Sequence, residues 1–161
     1  MKGNFPRISI VLDRLRSAYN TGNIFRIAEA VCVYEIIACG YTPYPPHPKL
    51  EKTAMGSDKM VKYRHFATSL EAVRALRSEG YKMALAVDNI EGAVCAWDKK
   101  YEFPLGLVFG NEALGISDDA LSECDGIINL PMFGAKSSIN VGNCASAVLY
   151  GIVKQVMGSS G

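Results

Sequence analysis

The sequence contains no apolar run approaching the roughly 18 residues that a membrane-spanning helix needs, and Met1–Arg7 has no apolar core of the secretory type. Both absences point to the cytoplasm and away from a membrane partner. No C-x-x-C pair occurs, and the cysteines number five: Cys32, Cys39, Cys95, Cys124 and Cys144. An odd set of scattered thiols fits reduced, buried side chains better than a disulfide framework or a zinc site, so no metal is expected. G-x-G-x-x-G and Gly-Lys-Ser/Thr are both missing, which argues against a dinucleotide fingerprint and against a P-loop. An excess of one charge is missing too: the formal net charge is +1. A nucleic-acid partner would have to be met by a local basic patch or by shape.

What is present suits a folded domain. The 161 residues are 49% hydrophobic, enough for one sizeable core. Ile8–Leu12 reads as a first strand. Asn20, Thr21 and Gly22 look like a capped helix start, followed by Ile24, Ile27, Ala28 and Val31 at helical spacing. Tyr34–Cys39 reads as a strand. Tyr41–Pro48 holds four prolines and must be loop. Ser69–Glu79 is amphipathic, Lys82–Val87, Leu105–Phe109 and Ile127–Leu130 read as strands, and a final helix covers about Val141–Met157. Strands alternating with helices predict an α/β fold with a mainly parallel sheet flanked by helices. Residues 1–157 are expected to form a single domain, with 158–161 a flexible tail.

Three polar segments interrupt the apolar pattern at strand ends. Asn20–Arg26 follows the first strand. Leu107–Ser117 runs from an apolar strand into Gly110, Glu112 and Gly115. Leu130–Asn143 is a Gly- and Ser-containing loop ahead of the last helix, with Ser138 and Asn140 at the helix start. Each has a bland reading as a cap: Asn20 or Thr21, Ser117 with Asp118 and Asp119 behind it, and Ser138 or Asn140. Loops at the carboxyl ends of parallel strands converge on one cleft, however, and together these three suggest an active site without naming a reaction.

The same segments resemble the motifs of the SpoU family of the SPOUT methyltransferases. The first motif resembles Asn20–Ala30, the second Phe109–Ser117, and the third Leu130-Pro131-Met132 followed by Ser138–Val141. Lys52–Gly56 also resembles a family stretch, and the likeness spans roughly residues 7–156. Gly142 stands where the family often has Ser, Cys32 where Gly is usual, and Ile116 where Leu is common.

The resemblance implies a fold whose C-terminal part forms a deep trefoil knot, a homodimer, and S-adenosylmethionine as cofactor. The implied reaction is methyl transfer to a ribose 2′-hydroxyl of RNA, with tRNA preferred and rRNA possible. By motif match the catalytic candidates are Arg26, Asn20, Glu112, Ser138 and Asn140. Donor contacts, mostly through backbone, are expected at Leu85, Gly110, Leu130, Met132 and Ser138. Arg26 stays protonated in ordinary settings, so a base and an orienter of phosphate and oxyanion are both open roles.

No additional RNA-binding domain is expected ahead of Ile8. Lys49, Lys52, Lys59, Lys62 and Arg64 form a candidate backbone-binding patch, set against the alternative of a solvated lysine-rich loop. Tyr41 and Tyr44 can stack on bases or simply pack. The apolar stripe Val141, Ala145, Val148, Leu149, Ile152 and Val156, with small Gly142, Ser146 and Gly151 beside it, is expected to serve partly as core and partly as dimer interface. Rival readings are a nucleotide-cofactor oxidoreductase, opposed by the missing fingerprint, and a catalytically inactive RNA-binding module, opposed by intact Arg26, Glu112 and Asn140.

Overall fold

The computed structural model describes residues 5–161. Its centre is a seven-stranded sheet made of β1 (Ile8–Asp13), β2 (Glu35–Cys39), β3 (Lys62–Phe66), β4 (Met83–Val87), β5 (Val94–Cys95), β6 (Leu105–Gly110) and β7 (Gly126–Asn129). The spatial order is β3-β2-β1-β6-β4-β7-β5 and every pairing is parallel. All six residues of β1 are buried, as expected of a strand covered on both faces.

Alternation divides the core. Ile8, Ile10, Leu12, Leu85, Leu107 and Phe109 point to one face, where α1 (Ala18–Ala30), α2 (Pro48–Ala54) and α5 (Val141–Ser159) cover them. Val11, Ile37, Ala84, Ala86 and Val108 point to the other, under α3 (Ser69–Ser78) and α4 (Asp118–Glu123). Gly106 lets Leu76 of α3 lie close, since a Cβ there would come within 2.8 Å of Leu76 Cδ1. A 3-10 turn, Ser57–Lys59, links α2 to β3.

Several boundaries differ from the sequence reading. The cap of α1 is Ser17, whose hydroxyl accepts from Asn20 N–H at 3.1 Å; Asn20 and Thr21 therefore sit inside the first turn. α5 continues through Gly158 and Ser159, into the stretch expected to be tail. α2, the 3-10 turn, β3 and β5 were not anticipated. β3 is an edge strand with little buried surface, and β5 has two residues, so neither carries a long apolar run.

Most of the stripe on α5 is core. Ala145, Val148, Leu149 and Ile152 are buried within the chain. Its small residues are used internally as well: a Cβ on Gly142 would lie 3.4 Å from Asn23 Cβ of α1, and one on Gly151 would lie 2.9 Å from Trp97 Cδ1. Val141, Ser146, Gly151 and Val156, on the same helix, are half-buried. Of the described residues, no helix is long and apolar enough to cross a membrane.

Candidate active site

β1, β6, β4 and β7 end side by side at Asp13, Gly110, Val87 and Asn129. The segments that leave them enclose a cavity of about 540 Å³. Its lining includes Asn20, Asp88, Gly110, Glu112, Leu130, Met132, Ser138 and Asn140. Such a volume lies within the usual range for a small-ligand site.

Asn111 builds the β6 side. Its backbone exchanges both hydrogen bonds with Gly115, N–H to carbonyl at 3.0 Å and the reverse at 2.9 Å. Its Oδ1 accepts from Ala113 and Leu114 N–H, each at 2.8 Å, and its Nδ2 donates to Arg14 carbonyl at 2.6 Å and to Tyr41 Oη at 3.0 Å. One buried amide thus folds its own loop and ties it to two others. Gly110 must be glycine, because a Cβ there would meet the carbonyl carbon of Gly115 at 2.4 Å and Ile116 N at 2.6 Å. Gly115 adopts φ +71°, which glycine accepts without cost.

Asp13 anchors the far end of that loop. Its buried carboxylate accepts from Ser117 N–H at 2.7 Å and from the Arg14 guanidinium at 3.0 Å. Ser117 begins α4, and its hydroxyl lies 3.1 Å from that of Ser69. Glu112 accepts from Arg16 N–H at 3.1 Å, fixing one oxygen at the rim.

The β7 side is pinned by asparagines. Asn129 Nδ2 donates to Asn89 Oδ1 at 2.9 Å, and Asn89 Nδ2 donates to Ser137 carbonyl at 2.9 Å. Asn140 caps α5 by accepting from Gly142 and Asn143 N–H, and its own amide donates to Asn20 Oδ1 at 2.9 Å.

The charge of the lining is one-sided. Asp88 and Glu112 contribute carboxylates, and among the described residues no lysine, arginine or histidine lines the cavity. Burial, and after it the negative charge of Asp88, push the Cys144 thiol up to about 11. Among the described residues no cluster of His, Cys, Asp or Glu is suited to a metal.

The structure therefore brings together Asn20, Glu112, Ser138 and Asn140 with Gly110, Leu130 and Met132. It leaves out two expected residues. Leu85 is fully buried in mid-strand, paired to Leu107 on one side and Gly126 on the other. The next residues along β4, Val87, Asp88 and Asn89, line the cavity instead. Arg26 lies exposed on α1, does not line the cavity and forms no ion pair among the described residues.

Asn111, Asp88, Asn89 and Asn129 were passed over in the sequence. Asn111 and Asn129 sat inside or next to segments already read as strand ends, and that position was the available signal. Asp88 and Asn89 directly follow a strand in the same way.

Comparison with known proteins follows the same segments. Residues 7–150 match the SpoU rRNA Methylase family. The tRNA (guanosine(18)-2′-O)-methyltransferase of Thermus thermophilus is 31% identical over 150 residues, covering 93% of this chain and 76% of the relative. The 23S rRNA (uridine(2479)-2′-O)-methyltransferase of Streptomyces viridochromogenes is 30% identical over 151 residues, covering 92% of this chain and 53% of the relative. The chain thus spans about half the length of the Streptomyces protein and about three quarters of the Thermus protein. The crystal structure of the SpoU methyltransferase AviRb from Streptomyces viridochromogenes with the cofactor AdoMet superposes with a TM-score of 0.85 at 28% identity, over 96% of this chain and 60% of that one.

Proposed function

Because the chain belongs to the SpoU rRNA methylase family, we propose that it transfers a methyl group from S-adenosylmethionine to a ribose 2′-hydroxyl of RNA. The observation that carries this reading is the charge of the cavity. Among the described residues, two carboxylates and no cationic side chain face a space of about 540 Å³ at the strand ends. A ligand with a sulfonium and an ammonium against one carboxylate carries net positive charge and fits that field. A dinucleotide, with its phosphates, does not.

Gly110, Leu130 and Met132 offer main-chain groups to the donor, and Asp88 supplies charge. Bound there, S-adenosylmethionine supplies a methyl on a cationic sulfur, so the departing thioether needs no proton. The chain's residues do the remaining work. Asn20, Ser138 and Asn140 orient the ribose, and Glu112 holds a hydroxyl at the rim. Arg26 acts on the RNA side: it holds a phosphate through its planar fork and stabilises the oxyanion that develops as the 2′-hydroxyl proton passes to solvent. Since Arg26 lies outside the cavity of its own chain, it reaches the reaction through bound RNA or from a second copy.

A homodimer belongs to the same reading. Its support is apolar surface left uncovered by the core: Phe133 is 95% exposed, and Tyr150 and Met157 of α5 are exposed too. A C-terminal trefoil knot is also part of it, supported by a strand order in which β6 enters between β1 and β4. Transfer RNA is the preferred substrate, in line with the Thermus relative, and the cytoplasm is the place of action.

The test is twofold. Calorimetry measures binding of S-adenosylmethionine, and 2′-O-methylation is mapped across the RNA of a deletion strain. Tight donor binding and one lost tRNA methylation are expected. A lost rRNA methylation redirects the substrate, and absence of donor binding overturns the reading.

A further inference from the structure

Beside the cavity lies a surface to which the proposed function has so far given no role. The segment after β2, residues 40–47, is fastened to the β1–α1 connection. Thr42 Oγ1 accepts from Leu15 N–H at 2.9 Å and donates to Leu12 carbonyl at 3.0 Å. Tyr41 reaches the cavity wall by accepting from Asn111 Nδ2, and it remains 58% exposed. Farther out, the Tyr44 ring lies on His65, with centroids 4.8 Å apart and planes 32° apart, and 6.3 Å from the Tyr63 ring. His65 Nε2 lies 2.8 Å from Gly40 carbonyl, joining this segment to the edge strand β3. Tyr44, Tyr63 and His65 are all exposed.

Three adjoining exposed rings, Tyr44, Tyr63 and His65, present a face that a planar ligand can cover. Charge identifies it. Arg16, whose N–H holds Glu112, is exposed at the rim, and Lys49, Lys52 and Lys59 are exposed on α2 and the 3-10 turn ahead of β3. None of the four forms an ion pair among the described residues. The five-residue basic patch read from the sequence contracts in the process. Arg64 is held by Glu35 and Glu79, each at 2.7 Å, and Lys62 lies over the Tyr34 ring.

We propose that Tyr41, Tyr44 and His65 form a stacking platform for an unpaired RNA base flanking the methylated nucleotide, with Arg16 on the intervening phosphate. The substrate is then a single-stranded loop, because a base within a duplex already has both faces stacked and cannot offer one to a side chain. This rests on the methyltransferase reading, and it adds the substrate's conformation and the residues that select it.

The test uses the whole chain and a short, unstructured, fluorescein-labelled RNA, compared with the same RNA annealed to its complement. Fluorescence anisotropy at fixed salt is expected to show tighter binding of the single strand. Tyr44→Ala and His65→Ala should each weaken it about tenfold, and Tyr44→Phe should restore it. A single-stranded probe carrying 5-bromouridine, irradiated with the unaltered protein, should crosslink to Tyr41, Tyr44 or His65, a readout that does not depend on how the variants fold.

Equal affinity for duplex, unchanged binding in both alanine variants, or crosslinks confined to other surfaces would overturn the platform. Donor affinity, measured separately by calorimetry, should be the same in all these variants. Its absence from the unaltered protein would count against the methyltransferase reading instead.

Discussion

The amide of Asn140 donates to Oδ1 of Asn20 across 2.9 Å, closing a contact between residues 120 positions apart. The same Asn140 Oδ1 receives two N–H groups at the start of α5. Its two functions can be separated. Asn140→Asp keeps the cap and loses the donor to Asn20. Stability should change little, while single-turnover methyl transfer falls by about 10²-fold, the scale of a lost positioned donor. Asn140→Ala should cost about 1 kcal/mol in addition. Thermal melts beside transfer rates decide; an Asp variant with normal rates would show that only the cap matters.

Gly110 supports a second prediction. The obstacle to a side chain there is backbone of the Asn111–Ser117 segment, not open cavity space. Even Gly110→Ala should displace that segment, costing about 1–3 kcal/mol and weakening donor binding by more than about tenfold. Calorimetry on a folded Gly110→Ala protein with undiminished affinity would refute the placement.

Asp88 should discriminate by charge. Asp88→Asn is expected to weaken S-adenosylmethionine binding several-fold, up to about tenfold, and to leave the neutral-sulfur product S-adenosylhomocysteine nearly unaffected, as a partly screened charge pair would. The ratio of the two affinities is the measurement. Equal losses for both ligands would place Asp88 away from the sulfur.

Arg26→Ala should lower single-turnover transfer by about 10²- to 10³-fold with donor affinity intact. Arg26→Lys should recover little, for want of the planar fork. Mixing Arg26→Ala with Asn140→Asp protein reads out the assembly. Recovered activity would mean that one copy lends Arg26 to the other, and none would confine it to its own chain or to RNA contacts.

Burial pushes the thiols of Cys39 and Cys124 up to about 12. In an unfolded chain a thiol ionises near about 8.5. The folded state thus keeps protons that the unfolded state gives up. Stability from this source is present in full below about pH 8.5 and declines as pH rises toward 12. Melting temperature should hold level to about pH 8 and fall beyond it, less steeply in Cys39→Ala. A flat profile to about pH 10.5 would contradict the assignment.

The sheet was legible because its central strands are buried on both faces and read as unbroken apolar runs, as Ile8–Leu12 and Leu105–Phe109 do. β3 was not, since Lys62–Phe66 is charged, exposed and held at the sheet edge by its backbone. Most of the site was legible as polar residues following apolar strands. Leu85 lies two residues short of the cavity lining, and apolar character gives no sign of where a strand opens to a cavity. Asp88 acquires meaning only when β4 and β6 end together, a relation between distant segments. Asn111 carries no local signal of its role, because its connection to Tyr41 and Arg14 is tertiary.

Gly22 marks where α1 and α2 touch: a Cβ there would lie 2.0 Å from Thr53 Oγ1 and 2.2 Å from Leu50 carbonyl. The two helices therefore fit only as a matched pair. Anyone grafting this chain's Gly40–Met60 stretch onto a relative to change which RNA is chosen must carry the glycine of position 22 along with it. Without that glycine, the graft would arrive with its helix lifted off the scaffold and its rings facing the wrong way.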